Sequence, residues 1–147
     1  MADENLQVQV SKVFATLLAF GLKAQNFHWN VEGQNFVEYH KLFDKLSHKA
    51  YKQLDCIAEG LRNMGMYVAA NFEDLKALSV IQDTRNVPSN KEMLAILLND
   101  CRMLNSLVTT TCKALEVAGE HGMYHLLGHL AKNLNKAEYL LVSANKP

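Results

Sequence analysis

From Asn35 to Met64 the chain carries apolar residues at helical intervals, with no proline and no glycine before Gly60. A run of that length and period folds as one long helix or not at all. The rest of the sequence follows suit. Hydrophobic residues make up 49%, against only seven Gly and two Pro in 147 residues, which favours a compact helical protein over a turn-rich β fold or a disordered chain. This length supports one domain, 1–147, with a substantial core and no second domain.

Taken in order, Asn5 to about Asn30 predicts a first helix, with Val8, Val10, Val13, Leu17, Leu18, Phe20 and Leu22 as a broad apolar stripe. A break follows at Asn30–Asn35, where Gly33 gives flexibility and Asn35 is expected to cap the second helix. That helix runs to about Met64, with Gly65 as its C-terminal cap. Asn71 before FEDLKAL reads as a short capped helix, and QDTRNVPS, ending near Pro88, as a loop. Ser89 with Glu92 forms a capping box for a third long helix reaching about Val117. After Gly119 a fourth spans His121 to Ala144, weakened in its first half by Gly122 and Gly128. Four long helices in one chain of this size make an all-α, four-helix bundle with a short extra helix between the second and third.

Metal-ligand chemistry concentrates between Asn26 and Gly65, which holds His28, His40, Asp44, Asp55 and Glu59. With His40 at zero, about 100° per residue puts Asp44 near 40°, Asp55 near 60° and Glu59 near 100°, on one face. Asp44 and Asp55 are nevertheless roughly 16 Å apart along the axis, whereas two metal–ligand bonds span about 4–5 Å. One chain therefore cannot bring both to one ion. Asp44 with Asp55, and His40 with Glu59, share a midpoint between residues 49 and 50. An antiparallel second copy across a two-fold axis there would place Asp44 against the partner's Asp55, and His40 against the partner's Glu59, giving two equivalent shared sites. The competing reading is a solvated helix face held by weak i,i+4 pairs. His48 and Tyr51 fall on the same stripe beside the proposed axis and read as interface residues. No Glu-x-x-His occurs anywhere in the chain, which argues against a di-iron site inside one bundle.

HWNVEGQNF, the His twelve residues after the first, the Asp four further on and DCIAEGLRNMG together resemble the Dps family, the mini-ferritins named as DNA-binding proteins from starved cells. The likeness in helix pattern covers nearly the whole chain. It implies a ferritin-like four-helix bundle and an intersubunit ferroxidase centre, with His28, His40 and Asp44 from one subunit and Asp55 and Glu59 from its two-fold mate. It further implies oxidation of Fe²⁺, with hydrogen peroxide as the favoured oxidant, and storage of the ferric product in a dodecameric homo-oligomeric shell. Trp29, after the first His, would lie near the centre and shield it from water. A different class of function uses the same five ligands to hold zinc in a non-catalytic, metal-buffering or structural assembly.

His121, His125 and His129 recur every four residues beside Glu120, and His on successive turns can chelate a transition metal. In Dps-like shells this helix start lines a pore, commonly with acidic residues, and His125 falls where an Asp is usual. A second metal site or a pH-sensitive pore is the expectation here. Lys plus Arg equals Asp plus Glu at 15 each, so net charge offers no pull toward nucleic acid. With Lys12 as the first basic residue and a short SANKP tail, DNA binding is expected to be weak or absent. The start MADENLQVQVSKVF lacks the flank and apolar run of a secretory signal, and no segment is apolar enough to span a bilayer. A cytoplasmic location without membrane association is expected. Cys56, Cys101 and Cys112 read as buried thiols of a reducing compartment.

Overall fold

The computed structural model describes residues 3–147; Met1 and Ala2, part of the start read above for a leader, lie outside them. The helices are α1 (Glu4–Asn30), α2 (Phe36–Asn63), α3 (Phe72–Leu78), α4 (Asn90–Ala118) and α5 (His121–Ala144), with no strand among the described residues. The four long helices pack in a ring, α1 on α2, α2 on α5, α5 on α4 and α4 on α1, while α3 lies against α1. Short connections fold α1–α2 and α4–α5 into antiparallel hairpins. The single long crossover, carrying α3, joins the two hairpins, which is the ferritin-like arrangement.

Local chemistry sets the helix ends. Asp3 accepts a hydrogen bond from Asn5 N–H at 3.2 Å and starts α1. Asn71 accepts from Asp74 N–H at 3.0 Å and starts α3. Ser89 and Glu92 form the expected reciprocal capping box of α4. At the end of α2, Gly65 takes φ 90°, Gly65 N–H reaches the carbonyl of Arg62 and Met66 N–H that of Leu61. This paired closure needs a residue that tolerates positive φ, which glycine does at no steric cost. Asn35 departs from expectation. It makes no side-chain cap but sits in the left-handed region at φ 61°, a conformation asparagine tolerates better than most residues. Its contribution is the backbone bend that returns α2 onto α1.

The core follows the predicted stripes. Val10, Val13, Leu17, Phe20, Ala24 and Phe27 of α1 meet Phe43, Leu46, Ala50, Ile57 and Leu61 of α2. From the other hairpin come Leu97, Cys101, Leu104, Val108 and Leu115 of α4, and Leu127, Leu130, Leu134 and Leu141 of α5. A Cβ on Gly21 would lie 3.0 Å from the Ala50 Cβ, so glycine there lets α1 and α2 approach closely. A buried ion pair ties the two hairpins together. Lys23 Nζ lies 2.6 Å from Asp100 Oδ2, both side chains 7% exposed, and Lys23 also donates to the carbonyl of Gln82 at the base of the crossover. Burial raises the Asp100 carboxyl above its ordinary value, against the Lys23 hydrogen bond and charge, which lower it.

Of the three cysteines only Cys101 is fully buried, its Sγ–H donating to the Leu134 carbonyl at 3.4 Å. Burial above all pushes that thiol up to about 12. Cys112 is half-buried and Cys56 is exposed. The expectation of a buried Cys56 is thus corrected, because it lies on the outward side of α2 with the exposed Lys52, Asp55 and Glu59, while Ile57 and Leu61 face the core.

Candidate metal centre

The hairpin bend brings His28, in the last turn of α1, against His40, in the second turn of α2. Their rings stack with centroids 3.9 Å apart and planes at 23°. His28 Nδ1 lies 2.7 Å from the backbone carbonyl of His40, and His40 Nδ1 lies 2.7 Å from the backbone carbonyl of His28. A carbonyl only accepts, so each Nδ1 must carry the proton and donate. In the neutral rings both Nε2 atoms are then left as lone-pair donors, the form a divalent metal takes up. Phe36 stacks on the far side of His40 at 4.9 Å and limits its rotation.

Asp44 stands one turn beyond His40 and joins them. Its Oδ1 lies 3.7 Å from His28 Nε2 and 3.7 Å from His48 Nδ1, so the carboxylate stands between an imidazole of α1 and one on its own helix. Asp55 and Glu59 do not reach them. They lie further along the unbroken α2, exposed and without ion-pair or hydrogen-bond partners among the described residues. No group of three or more His, Cys, Asp or Glu gathers closely enough to hold a metal ion within one chain, among the described residues. Trp29 is 65% exposed and turns outward beside the site. His48 is exposed, whereas Tyr51 leans back over Gly21 and its hydroxyl donates to Gln25 Oε1 at 3.2 Å.

Glu120 is half-buried at the start of α5, and His121, His125 and His129 are exposed along its outer face. Sequence reasoning found these ligand types from their spacing. It missed the reciprocal ring-to-carbonyl bonds and the Phe36 stack, because both depend on how two helices meet and have no signal in a linear pattern. It also missed a cavity of about 380 Å³ between α2 and α5, walled by Lys49, Lys52, Cys56 and His129.

The ferritin-like domain family model matches residues 8–143. Over 139 residues, 95% of this chain and 93% of the relative, the sequence is 25% identical to the DNA protection during starvation protein of Brevibacillus brevis. The crystal structure of a Dps protein from Bacillus brevis superposes with a TM-score of 0.94 at 23% identity, covering 99% of this chain and 100% of that one. The chain belongs to the Dps family of the ferritin-like superfamily. Another Dps structure, from Vibrio cholerae O1, is described as a member of a broad superfamily of ferritin-like diiron-carboxylate proteins. It superposes with a TM-score of 0.92 at 17% identity, covering 97% of this chain and 90% of that one. A further relative is general stress protein 20U of Bacillus subtilis (strain 168), 24% identical over 95% of this chain and 96% of its own length. Among the described residues no helix is long and apolar enough to cross a membrane.

Proposed function

We propose that this Dps-family protein is an iron-storage mini-ferritin whose ferroxidase centre is shared between two subunits. The observation that carries the reading is the pair of stacked imidazoles whose Nδ1 atoms are tied to each other's backbone, which leaves both Nε2 lone pairs for a metal, that of His28 being 3.7 Å from the Asp44 carboxylate. Such a donor set suits Fe²⁺ as substrate. The backbone anchors fix the tautomer and ring orientation before iron arrives, which reduces the reorganisation that binding requires.

In this reading His28 and His40 hold the tighter iron, and Asp44 adds an oxygen ligand and offsets its charge. Asp55 and Glu59 of the two-fold mate would complete the site, Glu59 being the better candidate to serve a second iron. Their exposure, their lack of side-chain partners among the described residues and the midpoint they share with Asp44 and His40 support this assignment. Bound Fe²⁺ is oxidised by hydrogen peroxide, which consumes both reagents of radical formation together, and the ferric product is kept inside a dodecameric shell of the cytoplasm. Protection then comes from removing iron and needs no DNA contact, in keeping with a formal net charge of zero.

The test is anaerobic loading with Fe²⁺ followed by hydrogen peroxide, with ferric iron measured across a sizing column. Many irons per subunit should elute with a large particle and be lost in the His28→Ala/His40→Ala double variant. Iron precipitating at the protein-free rate would refute the ferroxidase and leave the five residues as a structural or zinc-holding set.

A further inference from the structure

All the histidines beyond α2 lie on one stripe of α5, and none of them belongs to the centre described above. On a helix, side chains four residues apart have Cβ atoms about 5–6 Å from one another. Two imidazole nitrogens at about 2.0–2.1 Å from one ion close that gap. The stripe therefore contains two candidate chelates, His121 with His125 and His125 with His129. All three residues are exposed, and none of their imidazoles takes part in a hydrogen bond or ion pair among the described residues. Gly122 and Gly128, beside the stripe, have open space where a Cβ would stand, so this side of the helix start is uncrowded at those two positions.

The two pairs differ in their surroundings. His129 lines the α2–α5 cavity together with Lys49 and Lys52, and no carboxylate borders that cavity. Two ammonium groups there oppose a cation held on His129. His121 instead follows Glu120 directly at the helix start, one turn before His125, and the Glu120 side chain makes no capping hydrogen bond to the helix. The positive end of the α5 macrodipole also opposes a cation at this position, weakly and only over the first turn. Glu120 at the helix start offsets that weaker term. His125 is the member common to both pairs, and its ring lies edge-on to Tyr124 at 5.9 Å, which narrows its freedom without using a ring nitrogen.

We infer that His121 and His125 form a two-imidazole clamp for a late first-row divalent cation, of the Ni²⁺, Cu²⁺ or Zn²⁺ class, with Glu120 supplying nearby negative charge. Imidazole ligands favour these ions over Mg²⁺ or Ca²⁺, and affinity rises from Fe²⁺ toward Cu²⁺. The clamp is separate from the α1–α2 centre and does not rest on the ferroxidase reading.

The experiment is titration calorimetry with Ni²⁺ alone at about pH 7.5, where imidazole is mostly neutral, because Ni²⁺ does not oxidise the exposed Cys56. It is done in the His28→Ala/His40→Ala background of the full-length chain, which removes competition from the other imidazole pair. One ion per chain should bind. His125→Ala, and likewise His121→Ala, should weaken it roughly tenfold or more, the scale on which lost metal-site contacts register. His129→Ala should leave it within about threefold, or tighten it. Binding unchanged by His125→Ala, or lost more with His129→Ala than with His121→Ala, would overturn the assignment. Absence of any Ni²⁺ binding in that background would overturn it as well.

Discussion

The shared centre can be tested by mixing two dead variants. One variant, His28→Ala/His40→Ala, lacks the imidazole half of every site; the other, Asp55→Ala/Glu59→Ala, lacks the carboxylate half. Helix α2 runs unbroken from Phe36 to Asn63, so Asp44 and Asp55 stay roughly 16 Å apart along its axis. The two halves of a site must then come from different chains. In a two-fold dimer made of one chain of each kind, one site receives both intact halves and the other receives neither. Random pairing makes about half the dimers hybrid, so about a quarter of all sites are complete in the mixture. Co-expressed and purified together, the two variants should oxidise Fe²⁺ with peroxide at about a quarter of the wild-type initial rate per subunit, while either alone stays at background. Mass spectrometry of differently tagged chains verifies that hybrids formed. A hybrid preparation no faster than its parents would refute the two-chain site.

Lys23→Met should destabilise the protein by roughly 3–5 kcal/mol, because it leaves the Asp100 carboxylate buried without its partner. Asp100 already has a raised folded-state value, and losing Lys23 raises it further. The loss is therefore full above that value and shrinks as pH falls toward the ordinary carboxylate range near about 4. Urea midpoints at fixed protein concentration should show a larger deficit at about pH 7.5 than at about pH 5; equal deficits would count against the buried-charge explanation. Cys101, with its thiol pushed up to about 12, should resist a thiol reagent in native protein and react only on unfolding, a difference that mass mapping of the labelled sites reads directly.

Most of the fold was legible because its determinants are local. The α4 start was written in Ser89 and Glu92, the α3 start in Asn71, and the span of α5 in the interval between Gly119 and Ala144. Asn35 misled because one residue type serves two ends: as a side-chain cap, or as a residue that accepts positive φ. Only the direction in which the chain leaves Gly33 chooses between them. Cys56 misled because burial was judged from residue type, whereas on α2 it is set by which arc faces α1 and α5. Tyr51 shares the stripe of His40 and Asp44, but the absence of a side chain at Gly21 lets its ring fold back onto α1.

The identity of the five candidate ligands and the impossibility of joining Asp44 to Asp55 in one chain came from sequence alone, since side-chain chemistry and helical rise are both local properties. What only tertiary structure decided was the condition of those ligands. The stacking of His28 on His40, the carbonyls that hold both Nδ1 protons and the convergence of Asp44 all arise where the end of α1 meets the start of α2. A linear pattern states which atoms can bind a metal. The packing of two helices determines which nitrogen is free to do so, because the proton on an imidazole goes to whichever side meets an acceptor.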